Sequence, residues 1–294
     1  MCFSIVREDF LMQCIVGIVL YNPNIARLKE SFDAIKKSGY LILLVDNGSN
    51  NISKIRELID SKSIVMIENG CNFGIAKALN QIFEYGTNHN IDYILTLDQD
   101  SVIPANIFSE YENAANSNEK WGILTPIIFD RNAKYVLDNA SSSALITEMS
   151  ECITSASLVR VQAWKQVEGF DEKMFIDGVD FDFCHRIIDA GFKVLRVNTV
   201  VLIHEIGHIS IQHIGGLRIV VKNHNAFRKY YIARNIIYLS KKENTSLIYA
   251  LLKEIKMCLI ILLYENNKRE KLQAVMKGTI EGVSMDCSTD NDEY

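Results

Sequence analysis

Tyr93-Ile94-Leu95-Thr96-Leu97-Asp98-Gln99-Asp100 is an apolar run that stops at two carboxylates one residue apart. Such a run reads as a strand with a buried body, and its acidic C-terminal tip resembles the end of an open α/β sheet, where ligands bind. Paired hard oxygen donors suit Mg²⁺ or Mn²⁺, ions that usually meet a protein together with a substrate diphosphate. A D-x-D triplet also occurs in solvated turns, so its meaning depends on its surroundings.

Outward from this strand the pattern alternates. Cys14–Tyr21 is an apolar run closed by Asn22-Pro23, and a helical period follows over about 24–38. Tyr40–Val45 reads as a second strand stopped by Asp46-Asn47-Gly48-Ser49-Asn50, Ser53–Ser61 as a helix, and Ile64–Ile67 as a third strand. Phe73–Tyr85 is amphipathic and leads into the fourth strand, Ile91–Leu97. Continuous apolar strands separated by helices predict a parallel sheet covered on both faces. From Trp121 to Val161 the pattern breaks into short strands, which predicts an added, less regular region. Helices are expected again over Val161–Val167 and Val179–Ala190, with a strand over Phe192–Ile203.

Composition bounds the class. With 294 residues, 48% hydrophobic and 23% charged, the chain can bury a large core in one domain with appendages or in two domains. A net charge of −5 argues against general nucleic-acid binding. Seven scattered cysteines without a CxxC pair suggest reduced thiols and a cytoplasmic location. Residues 1–13, an N-terminal lead, carry Arg7, Glu8 and Asp9 and show no secretory h-region.

Two further segments suit a nucleotide. Asp46 and Asn47 end the second strand in an acceptor-rich turn; a carboxylate there can accept from a pyrimidine N–H, although both residues also suit a simple Asx turn. Asn72-Phe73-Gly74-Ile75-Ala76-Lys77-Ala78-Leu79-Asn80 opens a helix with small residues at 74, 76 and 78, which let a ligand or a backbone approach closely. An Asn cap followed by alanines of high helix propensity explains the same residues. The segment is neither a dinucleotide loop nor a Walker loop.

Val19-x-Tyr21-Asn22-Pro23, Val45-Asp46-Asn47-Gly48-Ser49, the Asn72–Asn80 segment and Leu97-Asp98-Gln99-Asp100-Ser101, in this order, resemble family-2 glycosyltransferases of GT-A fold. The Leu-Asp-Gln-Asp-Ser form is similar to bacterial rhamnosyltransferases that use dTDP-L-rhamnose. Phe170-Asp171-Glu172, Phe175-Ile176-Asp177, Asp180-Phe181-Asp182-Phe183-Cys184, Arg186, His204-x-x-Gly207 and Arg234-Asn235 extend the match.

The resemblance implies a Rossmann-like, mostly parallel α/β sheet over 14–215, a C-terminal helical extension over 216–285 and an acidic tail over 286–294. It implies donor binding by Tyr21, Asn22, Asp46, Asn47, Asn72, Gly74, Ala76, Asn80, Asp98 and Arg234. Asp100, Asp98 and His204 would hold Mg²⁺ or Mn²⁺. Asp180 would be the catalytic base of an inverting displacement, with Asp182 the alternative base on another helix face. Surface pairing with Arg186 is the rival role for Asp180. The family's Glu-Asp pair is Val179-Asp180 here, so the preceding acid is missing. The implied partners are a nucleotide-sugar, dTDP-L-rhamnose first and a UDP-sugar second, and an oligosaccharide or lipid-linked saccharide acceptor for surface-polysaccharide synthesis.

Two other classes fit parts of the sequence. His204-Glu205-Ile206-Gly207-His208 spells the HExxH of zinc peptidases, but it follows a β-branched strand pattern and contains Gly207, whereas that chemistry needs a helix. His208 and His213 then read as polar loop residues. A non-catalytic carbohydrate-binding protein is the other class, and only Val179 hints at it. Between Ile206 and Lys242 stand seven Lys/Arg and no acid, which reads as a solvated basic face or an anion-facing surface. Leu247–Tyr264 is strongly apolar yet interrupted by Lys253, Glu254 and Lys256, so it is expected to pack on the domain or lie at a membrane interface, not to span one. The expected location is the cytoplasm, with peripheral contact at the inner face of the cell membrane as a further expectation.

Overall fold

The computed structural model describes residues 14–59, 62–130, 135–136, 144–204, 210–214 and 217–287. Strand and helix alternate from the start: β1 (Cys14–Leu20), α1 (Ile25–Lys36), β2 (Leu41–Asp46), α2 (Ile52–Leu58), β3 (Ile64–Glu68), α3 (Ile75–Asn88) and β4 (Tyr93–Asp98). Local chemistry explains the first turnover. Pro23 ends extended backbone, and the Asn24 side chain accepts from the N–H groups of Ala26 and Arg27 to cap α1. Leu28, Phe32 and Ile35 then recur at helical spacing and bury one stripe against the sheet core.

β1 pairs in parallel with β2 on one side and β4 on the other, and β2 pairs in parallel with β3. The order 3-2-1-4 reverses direction between β1 and β4, and a crevice at the carboxyl ends of the strands belongs at such a reversal. The middle of β1 and of β2 is buried almost without interruption, as expected for strands covered on both faces.

The second half of the chain completes this sheet. α4 (Ile107–Ser117) precedes β5 (Trp121–Asp130), β6 (Tyr135–Val136), β7 (Ile146–Met149), β8 (Ser157–Arg160), α5 (Val161–Gln166), α6 (Val179–Asp189) and β9 (Lys193–His204). The full order is β3-β2-β1-β4-β8-β5-β9-β7, with β6 on β5. Only β7 and β8 run against the rest of that path. The Trp121–Val161 region is therefore no appendage: β5 is a ten-residue interior strand, and β8 is the wedge that joins it to β4. Its polar residues disguise the strand pattern because Thr125, Ser155 and Ser157 are buried, Ser157 donating to Thr125 within the sheet and Ser155 donating to Ser101 beside it.

Two compact units emerge. Residues up to 172 with 179–206 form the sheet unit, and 173–178 with the residues from 207 onward form the helical unit. The helical unit contains a hairpin, β10 (Ser210–Ile214) with β11 (Leu217–Val221), and three helices, α7 (Ala226–Lys242), α8 (Leu247–Tyr264) and α9 (Lys268–Ser284). Its hairpin was not legible in the sequence, and His213 is a strand residue paired with Arg218, not a loop residue.

α7 and α9 meet backbone to backbone. A Cβ on Gly278 would stand 2.2 Å from the Tyr230 carbonyl oxygen, and one on Gly282 would stand 2.4 Å from that of Arg234. The basic residues of α7 turn inward more than a solvated face would. Arg228 pairs with Asp177, Arg234 with Glu281, and Lys241 donates to the carbonyls of Val283 and Met285. Lys229 and Lys271 both close on Glu265, at 2.8 and 2.7 Å, and all three are buried. The acid-free segment thus borrows its counter-charges from 177, 265 and 281. Burial opposes ionisation of Glu265, yet its hydrogen bonds from Lys229 and Lys271 hold the carboxyl below its usual range. Among the described residues no helix is long and apolar enough to cross a membrane.

Candidate active site

Among the described residues six strands run the same way, and five of them end at the same edge in a residue of ionisable type: Asp46 on β2, Glu68 on β3, Asp98 on β4, Asp130 on β5 and His204 on β9. Asp46 lies beside Leu20, and Asp98 beside Val19, so the two acids flank the tip of β1. Adjacent strands are about 4.8 Å apart, which puts their backbones roughly 10 Å from each other across the switch point.

The tips are tied together by side chains. Gln99, between the two acids, accepts from the Tyr21 N–H at 2.9 Å and donates to the Tyr21 carbonyl at 3.3 Å, clasping β4 to β1. Asn22, at φ 49°, donates its N–H to Ser49 Oγ and accepts from the Asn50 N–H, both at 2.8 Å. Tyr21 itself remains half exposed.

Asp46 is the informative acid. It is only 2% exposed, and its Oδ2 accepts from the N–H groups of Gly48 and Ser49 at 3.1 and 3.0 Å. Oδ1 is buried and has no hydrogen-bond partner among the described residues. The expected Asx turn is therefore present, and it consumes one oxygen of the two. A buried polar atom left unmatched costs about 1–3 kcal/mol, more for a charged group, so the orphan oxygen points to a donor that the folded chain does not supply. Gly48 makes this turn feasible. It sits at φ 82°, and a Cβ there would stand 2.7 Å from Cys71 Cα.

Its neighbours are framework. Asn47 donates to the Gly74 carbonyl and accepts from Asn69 Nδ2, and Asn72 accepts from the Gly74 N–H. Gly74 adopts φ 88°, and Ala76 and Ala78 bury in the sheet unit. Asn80 is saturated. It donates to the Phe170 carbonyl and to Glu172, and accepts from Trp164 Nε1 and the Phe170 N–H. The amides of Asn47 and Asn80 thus hold the protein itself. Phe73, missed by the motif reading, leaves its ring half exposed in the same turn.

The Asp98-Gln99-Asp100 tip grades from inside to outside. Asp98 is partly buried, its N–H donates to Ser155 Oγ at 3.3 Å, and Ser155 donates on to the buried Ser101. Asp100 is exposed to solvent. Ser101 closes the Leu-Asp-Gln-Asp-Ser motif, whereas its partner Ser155 carried no sequence signal, because a buried serine looks like any loop residue. Among the described residues no three His, Cys, Asp or Glu side chains gather into a metal cluster. One or two carboxylates at a rim are nonetheless what Mg²⁺ takes from a protein when substrate phosphates supply other ligands. His204 ends β9 on the same edge, three positions from β4 in the sheet order. His204 itself is the last residue of a strand. Glu205 and His208 lie outside the described residues.

α6 separates the two candidate bases. Asp182 is buried, and its Oδ2 accepts from Arg186 Nε and Nη2 at 2.8 and 2.7 Å. Arg186 Nη1 donates to the carbonyls of Val167 and Gly169, fastening the turn that Asn80 holds from the other side. That network engages Asp182 Oδ2 with Arg186. Asp180, in the first turn, is partly exposed, and its Oδ1 accepts from the N–H of Phe181. Arg234 belongs to the helical unit, where it donates to Asn235, to Glu281 and to the Lys173 carbonyl. Cys152 and Cys184 lie 3.6 Å apart as free thiols, and this contact, together with burial, pushes Cys184 well above its ordinary range.

Comparison with known proteins agrees with this arrangement. Residues 15–148 match the glycosyl transferase family 2 model, and residues 93–218 match the glycosyl transferase family group 2 model. The chain is 30% identical over 283 residues to the dTDP-rhamnosyl transferase RfbF of Shigella flexneri, covering 90% of this chain and 94% of that one. In structure it is similar to the mannosyltransferase PcManGT of Pyrobaculum calidifontis, solved with GDP-Man and Mn²⁺, with a TM-score of 0.56, 11% identity and coverage of 97% and 83%. It is also similar to S. aureus TarS 1-349 solved with UDP-GlcNAc, with a TM-score of 0.57, 11% identity and coverage of 93% and 73%. The sheet is thus of GT-A type, and the chain belongs to glycosyl transferase family 2.

Proposed function

We propose that the protein transfers L-rhamnose from dTDP-L-rhamnose to a hydroxyl of a saccharide acceptor, with inversion at the anomeric carbon. The observation that carries the donor half is Asp46 Oδ1, a buried acceptor without a partner at the strand-tip edge. Thymine and uracil both present a ring N–H that would satisfy it. The RfbF relative favours thymidine and rhamnose, and a UDP-sugar is the second reading. Tyr21 and Phe73, half-exposed rings on segments hydrogen-bonded to the Asp46 turn, would cover the base and ribose. Asn22, Asn72, Gly74 and Ala76 shape that pocket, while Asn47 and Asn80 hold its walls.

Asp98 would meet the ribose, and Asp100, with Asp98 and His204 as further ligands, would hold Mg²⁺ or Mn²⁺. When bound, such an ion neutralises charge on the nucleoside diphosphate leaving group. The residues fit: hard oxygen donors stand at a solvent-facing tip where a diphosphate can complete the shell. Asp180 would take the proton from the acceptor hydroxyl as that oxygen attacks the sugar, the part that the family resemblance gives the acid of this position. The resemblance also assigns Arg234 to donor binding, while its guanidinium here serves Asn235, Glu281 and the Lys173 carbonyl within the helical unit. The acceptor reading, an oligosaccharide or lipid-linked saccharide presented at the inner face of the membrane, rests on the family resemblance.

Titration of dTDP and dTDP-L-rhamnose into the wild type and Asp46→Asn tests the donor assignment. The amide keeps an acceptor but loses the charge, so affinity should fall about 10- to 100-fold, as for a charge-assisted hydrogen bond. Equal affinity in both proteins would remove Asp46 from base recognition.

A further inference from the structure

α8 is built backwards for a globular protein. Of its 18 residues only Ala250, Glu254 and Ile261 are buried. Ile248, Leu251, Leu252, Ile255, Leu259 and Leu263 are 46–72% exposed and follow one another along a single helical stripe. Met276, Ile280 and Val283 of α9 are exposed as well. Between the two helices lies a groove of about 380 Å³, lined by Leu251, Ile255, Leu259, Leu272, Val275 and Met276. Glu254 stands in the groove wall, 5% exposed, with Oε2 accepting from Thr279 and Oε1 without a partner among the described residues. Burial raises its pKa and so favours the neutral form in this apolar setting.

An apolar face of this extent marks an interaction surface. Charge decides which. The described part of the helical unit carries fourteen Lys and Arg against seven Asp and Glu, although the whole chain is net −5. Lys253 and Lys256 are exposed on α8 beside the stripe. Two copies meeting through this face would bring like charges together, whereas an anionic surface would not. Since no described helix can cross a bilayer, the stripe can lie in its surface with the lysines at headgroup level.

We propose that α8 and the α8–α9 groove form the docking surface for an anionic lipid bilayer, the stripe entering the acyl boundary and the groove seating one lipid chain. This deepens the membrane contact of the functional reading and rests on it only for the identity of the acceptor.

The test is sedimentation of the full chain with phosphatidylcholine vesicles, with and without about one-third phosphatidylglycerol. Anionic vesicles should retain the wild type and pure phosphatidylcholine should retain less. The exposed triple variant Leu251→Ser, Ile255→Ser, Leu259→Ser should lower retention at least about tenfold, with circular dichroism unchanged. Lys253→Glu with Lys256→Glu should remove most of the preference for anionic vesicles. No retention of the wild type, retention equal in the triple variant, or a light-scattering dimer that the triple variant dissociates would each overturn the proposal. Donor turnover in solution is read alongside. It should survive the triple variant, so that an absence of turnover in every protein counts against the transferase reading alone.

Discussion

Asp46 and Glu254 are both buried carboxylates with one oxygen unmatched, yet they sit in opposite settings. Around Asp46 everything is polar and tied down: backbone N–H groups on its other oxygen, an Asn69–Gln81 amide pair nearby, and the Gln99 clasp across the strand tips. Around Glu254 the walls are leucine, isoleucine, valine and methionine, and a single threonine hydroxyl answers it. The first environment leaves one oxygen facing an absent hydrogen-bond donor. The second discourages a charge and awaits apolar matter. One chain thus holds a polar recognition edge in its sheet unit and an apolar face in its helical unit.

The largest expected effect breaks that comparison at its chemical end. Asp180→Asn should lower kcat by about 10²–10⁴, the usual worth of a general base, while the donor dissociation constant stays unchanged. Retained transfer would shift the base elsewhere. Asp182 is then a poor heir, since its Oδ2 already receives two Arg186 donors.

A smaller effect separates the units. Gly278→Ala puts a methyl into the Tyr230 carbonyl, and overpacking of this kind costs about 1–3 kcal/mol. The melting temperature should drop and donor affinity should hold. A parallel loss of donor affinity would show that the recognition edge depends on α7–α9 packing.

The smallest effect is on pH. Burial first, then the nearby Arg228, lower His224 from 6.5 to about 4. A base whose folded pKa is depressed favours the unfolded state once that state protonates, so stability should decline as pH falls from about 6.5 to about 4. Glu265, held low by its two lysines, adds a further loss only below its ordinary carboxylate range. Thermal melts of His224→Gln should be flatter over the first interval and unchanged over the second.

Legibility in sequence followed the same division. β1 to β4 could be read because a covered parallel strand is a continuous apolar run and its stop is polar. The bounds of α8 were legible too, but not its exposure, because an apolar helix looks the same whether it faces a core or a membrane. The division of labour inside the motifs was invisible. Asp46, Asn47 and Asn80 read alike, and only geometry shows that the amides are spent on the protein while one Asp46 oxygen is not. The buried polar seam of Thr125, Ser155 and Ser157 made an interior strand region resemble an irregular insertion. Asp182 and Asp180, two residues apart on a helix, needed the Arg186 network to be told apart.

The most direct test is calorimetric titration of dTDP-L-rhamnose with Mg²⁺ or Mn²⁺ present or absent, in the wild type and in Asp100→Ala. The account predicts saturable binding that the metal strengthens in the wild type, with that strengthening lost in Asp100→Ala. Absence of nucleotide-sugar binding, or binding indifferent both to metal and to Asp100, would contradict it.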